Sequence, residues 1–130
     1  MALPHAQPLD IISVRSLGDA LPEAVSTSLI KTERLQLLHI VMPLHADMPE
    51  HHVDDSSVLH CLEGQVEVVM PSGTRRLAAG DLVVLPAGQP HSLRARAPSA
   101  VLMTLLRVDD KLGGGPEGAP EPQNDEAQRG

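Results

Sequence analysis

Glycine and proline interrupt this chain at close intervals from Glu63 to Ser99, and no apolar stretch between them is long enough for an amphipathic helix. The interruptions are Glu63-Gly64, Pro71-Ser72-Gly73, Ala79-Gly80-Asp81, Pro86-Ala87-Gly88 and Ala97-Pro98-Ser99. Each has turn chemistry, since glycine accepts a positive φ without steric cost and proline presets φ at about −65°. The runs Val58–Leu62, Gln65–Met70, Arg75–Leu77, Leu82–Leu85, His91–Arg96 and Ala100–Val108 are expected as strands. Upstream, Leu29–Lys31 reads as a short strand and Leu35–Met42 as a longer one, ended by Pro43. Alternation places Leu35, Leu37 and Val41 on one face of the longer strand and Leu38, Ile40 and Met42 on the other. Pro8–Leu17 is compatible with a short helix or an edge strand, punctuated by Gly18 and Pro22. Many short strands without a long helix imply an all-β sandwich, jelly roll or barrel.

A length of 130 residues suits one domain. The chain divides into an N-terminal extension over 1–28, a β unit over 29–110 and a tail over 111–130. The tail is rich in Gly, Pro and acidic residues and has no apolar periodicity. It is expected to be flexible and dispensable, because it cannot bury enough surface to offset its ordering entropy.

Aromatic residues are absent, at 0% of the composition, so the core must be built from Leu, Val, Ile, Met and Ala. The same absence removes any stacking platform for a sugar ring or nucleobase and any Tyr phenol for proton transfer. A net charge of −7 without a basic run argues against nucleic acid as a partner. Cys61 is the single cysteine, which excludes an internal disulfide and fits a reducing compartment. Met1–Asp10 lacks a charged leader and an apolar core, so no secretory signal is expected. The apolar runs are too short to span a bilayer, and a cytoplasmic location follows as the expectation.

Residues 80–91 read GDLVVLPAGQPH. This stretch resembles the second conserved motif of the cupins, G-x5-P-x-G-x2-H-x3-N, with Gly80, Pro86, Gly88 and His91 at the matching spacing. Ala95 stands where the motif ends in Asn. The first cupin motif, G-x5-HxH-x3/4-E-x6-G, is present in eroded form. Counting back from Gly64, its Glu position falls on Ser57. Upstream two registers are open. In one, His51 is the first ligand position and Val53 replaces the second; in the other, Glu50 and His52 occupy the two positions. The first is preferred, because Pro49 then sits two residues before the histidine and His45 takes the glycine position. The resemblance covers residues 35–107 and implies a double-stranded β-helix, the cupin jelly-roll barrel, with an interior site that includes His91.

A cupin metal site has three His and one Glu, and here only His51 and His91 keep those positions. The resemblance therefore implies a site for one divalent transition metal (zinc, manganese, iron or nickel) at His51 and His91. His52 is the candidate third ligand, with Glu50 and His60 behind it. Five of the seven histidines lie between His39 and His60. Strand parity points Ser57, Leu59 and Cys61 inward and His60 outward. His39 and His45 read as surface or interface residues, Cys61 as a small buried hydrophobe and Glu63 as a solvated turn carboxylate. Arg75, Arg76, Arg94 and Arg96 read as exposed strand positions. There is no P-loop, dinucleotide fingerprint, G-x-S-x-G elbow, CxxC or HExxH.

Three functional classes follow. The first is a barrel that binds a small, largely apolar molecule or a metal. The second is a metal-dependent enzyme of oxygenase, isomerase or decarboxylase type, weakened by the loss of ligands at Ser57 and Val53. The third is the sensory domain of a regulator that acts through another chain. A homodimer is also expected, formed through the strands from Leu29 to Met42, because a barrel can cover only one of the two apolar faces of Leu35–Met42.

Overall fold

The computed structural model describes residues 5–107. The flexible tail expected beyond Gly113 lies outside those residues. Nine strands form: β1 Thr27–Lys31, β2 Leu35–Met42, β3 Asp47–His51, β4 Ser57–Glu63, β5 Gln65–Met70, β6 Gly73–Ala78, β7 Leu82–Leu85, β8 His91–Ala95 and β9 Ser99–Leu106. They build a five-stranded sheet in the order β1-β2-β9-β4-β7 and a four-stranded sheet in the order β3-β8-β5-β6. Every recorded pairing is antiparallel. Strand makes up 52% of the described residues, and among them the only helical element is a 3-10 turn over Gly18–Glu23. The protein is all-β, as expected from its turns, with the jelly-roll architecture that the cupin resemblance implied.

Alternation builds the core. Ser57, Leu59 and Cys61 on β4, Val66 and Val68 on β5, His91, Leu93 and Ala95 on β8, and Val101 and Met103 on β9 are all buried. With Ile40, Met42, Leu77 and Leu85, the apolar members of this set form one aliphatic cluster between the two sheets. Gly64 closes the tightest turn. Its φ is +85°, and a Cβ there would lie 2.2 Å from Ser99 Oγ and 2.3 Å from the Pro98 carbonyl oxygen, so only glycine fits.

β3 is a strand that propensity does not announce. Its sequence, Asp-Met-Pro-Glu-His, is polar and contains a proline. It forms at the edge of the four-stranded sheet, pairing with β8 alone, and its register shifts between Met48 and His51. An edge and an irregularity are the two places where a strand tolerates a missing N–H, and Pro49 occupies both.

The extension differs from expectation. Pro8–Leu17 contains neither helix nor strand, and Gly18 and Pro22 lie inside the 3-10 turn instead of breaking an element. The segment is held at two points. The Ala6 N–H donates to the Leu29 carbonyl (2.8 Å) at the free edge of β1. At the far end Glu63 accepts from the Leu17 N–H (2.8 Å), the Ser16 hydroxyl (2.9 Å) and the Gly18 N–H (3.2 Å). Glu63 is therefore a latch for the extension and not a solvated turn charge. Sequence parity could not reveal this, because its partners lie more than forty residues away.

Candidate functional site

The site lies at the end of the barrel where residues 52–56 join β3 to β4 and residues 86–90 join β7 to β8. The Gly88 N–H donates to the Val53 carbonyl (2.8 Å) and ties the two connections together. His91 opens β8 with inward parity and is only 2% exposed. His51, the last residue of β3, is its cross-strand partner. Their ring centroids are 4.3 Å apart with planes tilted by 57°. His51 is half-buried, so the pair is reached from solvent past its ring.

Hydrogen bonding sets the tautomer of each ring. His91 Nδ1 lies 3.0 Å from the Gln89 carbonyl oxygen, and His51 Nδ1 lies 3.1 Å from the Pro49 carbonyl oxygen. A carbonyl only accepts, so both Nδ1 atoms carry a proton, and in the neutral form of either ring the lone pair lies on Nε2. His91 Nε2 is buried and has no partner among the described residues. Burial pushes the His91 pKa down, and the neighbouring His51 and His52 push the same way; the Gln89 carbonyl and Glu50 oppose them. The net shift is downward, which keeps this lone pair free at neutral pH.

Ser57 is the second interior group that lacks a partner. It is 2% exposed and its Oγ finds no hydrogen bond among the described residues. Its inward parity was legible in the sequence, but the unsatisfied hydroxyl was not, because satisfaction depends on what the opposite sheet presents.

The remaining candidates lie elsewhere. His52, just beyond the end of β3, is exposed, and Glu50 is exposed as well. Both are felt electrostatically at His91. His60 is half-buried on the outer face of β4, in register with Leu102 and through it with His39 on β2. His45 has φ +70° and is a turn residue, its N–H donating to the Ala95 carbonyl. Cys61 is fully buried with its thiol directed at the Glu63 and Gly64 carbonyls (3.4 and 3.7 Å). Burial, then Asp81, raises its pKa, so it stays a thiol and is a poor metal ligand. Among the described residues no three His, Cys, Asp or Glu side chains gather in a way that could hold a metal ion. His51 and His91 are the two candidate side chains that the structure brings together.

A groove of about 290 Å³ opens on the outside of the four-stranded sheet, beside Glu67, Arg76, Arg96 and Asp81. Glu67 Oε2 already engages both arginines, at 3.3 and 3.4 Å, so the groove is a satisfied ion-pair cluster.

Two antiparallel sheets closed over an aliphatic core, with a histidine of the second motif turned inward at one mouth, define a barrel of the cupin class. The chain belongs to the Cupin_2 family, whose cupin domain model matches residues 38–106. Among solved structures it is similar to a conserved protein of unknown function from Streptococcus pyogenes. The two share 21% identity with a TM-score of 0.65, covering 83% of this chain and 98% of that one. A cupin superfamily protein from Desulfitobacterium hafniense DCB-2 aligns at 18% identity and a TM-score of 0.63, covering 83% and 97% of the two chains. KdgF from Halomonas sp. aligns at 22% identity and a TM-score of 0.60 over 67% of this chain and 82% of that one. At these identities the likeness concerns the fold. No curated protein matches the sequence. No helix among the described residues is long and apolar enough to cross a membrane.

Proposed function

We propose that this cupin barrel binds a small molecule through one divalent transition metal ion, with His51 and His91 as its protein ligands. The observation that carries the reading is the buried, partnerless Nε2 of His91, whose Nδ1–H is already committed to a backbone carbonyl. A buried polar atom without a partner costs on the order of 1–3 kcal/mol, so a group that completes it is favoured. A histidine that donates its other N–H to a carbonyl is oriented as metal-ligating histidines are, and His51 repeats the arrangement beside it.

The residues present fit such an ion in part. Two imidazole ligands suit zinc, nickel and iron better than manganese, which prefers oxygen. Glu50 and Asp54, exposed near the same mouth, add negative potential that attracts cations. Two nitrogens alone hold an ion weakly, so a molecule that chelates the same ion should bind together with it. When bound, the ion supplies Lewis acidity and holds an oxygen of the ligand. The chain's own residues orient the two nitrogens, bury one of them and present the Ser57 hydroxyl inside the same barrel. A buried unpaired cysteine also fits a reducing, cytoplasmic setting.

The test is calorimetric titration of tag-free protein with zinc and nickel, with and without a bidentate acid such as oxalate. His51→Ala and His91→Ala should each lose at least about tenfold in affinity, the scale set by ligand-shell losses, while His52→Ala retains most of it. If the wild type takes up neither metal in either condition, the metal reading fails.

A further inference from the structure

Four arginines lie on or beside the four-stranded sheet, and three of them are engaged. Arg76 and Arg96 meet Glu67 at 3.3 and 3.4 Å, and Arg94 meets Asp47 at 3.1 Å. Arg76 and Arg94 are in register with Glu67 on the outer face. Arg75 differs in both respects. Among the described residues no acid pairs with it. Its cross-strand partner is Val68, which in turn pairs with Leu93, and both of those are buried in the core. Cross-strand partners share a face, so Arg75 stands on the inner face of the sheet. It stays exposed there because β6 is the edge strand.

Arg75 also lies near the end of the sheet that carries the histidine pair. Val69 pairs with Ser92 on one side and with Thr74 on the other, and Met70 pairs with Gly73. Continued by one residue, that register sets Gly73, Met70, His91 and His51 in a row across the four strands. A Cβ built on Gly73 would lie 3.6 Å from Arg75 Nη1, so the guanidinium reaches back along β6 to this row. Two strand spacings, roughly 10 Å, separate the Gly73 and His91 backbones. Met70, half-buried and packed against the core, lies between them.

We propose that Arg75 reads the anionic end of the small molecule held at the histidine pair. The ligand class is a short acid with metal-binding oxygens at one end, an aliphatic middle and a second carboxylate at the other end. The inference rests on the metal reading above for the first end of the ligand alone. The mouth has the matching order of chemistry: imidazole nitrogens flanked by the exposed Glu50 and Asp54, then a thioether, then an unpaired guanidinium. A guanidinium takes a carboxylate through two parallel N–H donors, and Arg75 has no acid of its own chain to give up first. Side chains shorten the span from both ends, and at about 1.5 Å per C–C bond the remainder suits an acid of about four or five carbons.

The test compares 2-hydroxyglutarate with 2-hydroxypentanoate, acids of equal length that differ by the second carboxylate, in calorimetry on zinc-loaded protein. The wild type should bind the diacid at least about tenfold more tightly, the scale of a hydrogen bond to a charged group. Arg75→Met should bring the two acids to equal affinity without changing zinc uptake, and Arg75→Lys should restore part of the preference. A second measurement needs no ion. In metal-free protein, 2-hydroxyglutarate should shift the Gly73 and Thr74 amide resonances in the wild type and leave them unmoved in Arg75→Met. Equal affinities in the wild type, a preference that survives Arg75→Met, or amides indifferent to the diacid would each overturn the proposal. A wild type that takes up no zinc would overturn the metal reading instead, and the resonance measurement alone would then decide the role of Arg75.

Discussion

Ser57 is an alcohol buried to 2% exposure with no hydrogen-bond partner, on the inward side of β4 beside Leu59 and Cys61. A carboxylate at this place would face the same interior as the two imidazoles and add a third metal ligand. Ser57→Glu should therefore behave in opposite ways with and without metal. Without metal, an uncompensated buried charge should cost about 3 kcal/mol of stability. With zinc, that loss should be recovered and affinity should rise at least about tenfold over wild type, since three protein ligands make a competent site. Thermal melts and calorimetry, each with and without zinc, give the answer. A variant that gains no zinc affinity would mean that position 57 and the histidine pair do not share a site.

At the scale of elements, the extension depends on one carboxylate. Burial alone would push the Glu63 carboxyl upward. The Leu17 N–H, the Ser16 hydroxyl, the Gly18 N–H and nearby His39 together outweigh that, so its pKa falls below the usual carboxylate value. The sign follows from linkage. A depressed native pKa means that the latch contributes fully above the ordinary Glu value of about 4.3 and is lost as pH falls through the lower native value. The Leu17 and Gly18 amide resonances should therefore shift together in acid, below the ordinary Glu value. In Glu63→Gln that titration should vanish, and exchange of the Ala6 amide should rise at neutral pH. Amides that ignore both the substitution and the acid would show that the extension is held some other way. β3 illustrates the complementary dependence, since Pro49 and its polar neighbours are strand only because β8 lies beside them.

For the molecule as a whole, the consequence of having no aromatic residue is a core whose cohesion is spread over many medium-sized side chains. Leu59, fully buried, belongs to this core and lies on β4, an interior strand of the five-stranded sheet. Leu59→Ala should cost about 3 kcal/mol, within the usual range for a leucine cavity. That is a large share of the roughly 5–15 kcal/mol that a domain possesses. Leu44→Ala, at a half-exposed leucine outside the core, should stay within about 0.5 kcal/mol. Urea midpoints measure both, and similar losses at the two sites would contradict a core concentrated between the sheets. The outside of the barrel is organised at the same scale. Ion pairs and a satisfied groove occupy one sheet, while aliphatic side chains without charge occupy part of the other.

What the sequence determined by itself was whatever depends on near neighbours in the chain. Residues 80–91 contain a turn, a strand and the start of the next, and their resemblance to the second cupin motif implied the barrel and an inward His91. Period-two alternation likewise separated Leu59 from His60 and Leu93 from Arg94, because successive side chains on a strand must point to opposite sides. Tertiary structure decided whatever needs a distant partner. β3 exists through its pairing with β8, Glu63 holds residues more than forty positions upstream, and His51 meets His91 across forty residues of chain. Whether Ser57 Oγ finds a hydrogen bond is likewise decided only once the barrel has closed, and among the described residues it finds none. The division has one physical cause: turn and alternation preferences are set by covalent geometry within a few residues, whereas edge pairing, latching and burial of polar atoms are set by surfaces that exist only once both sheets have closed.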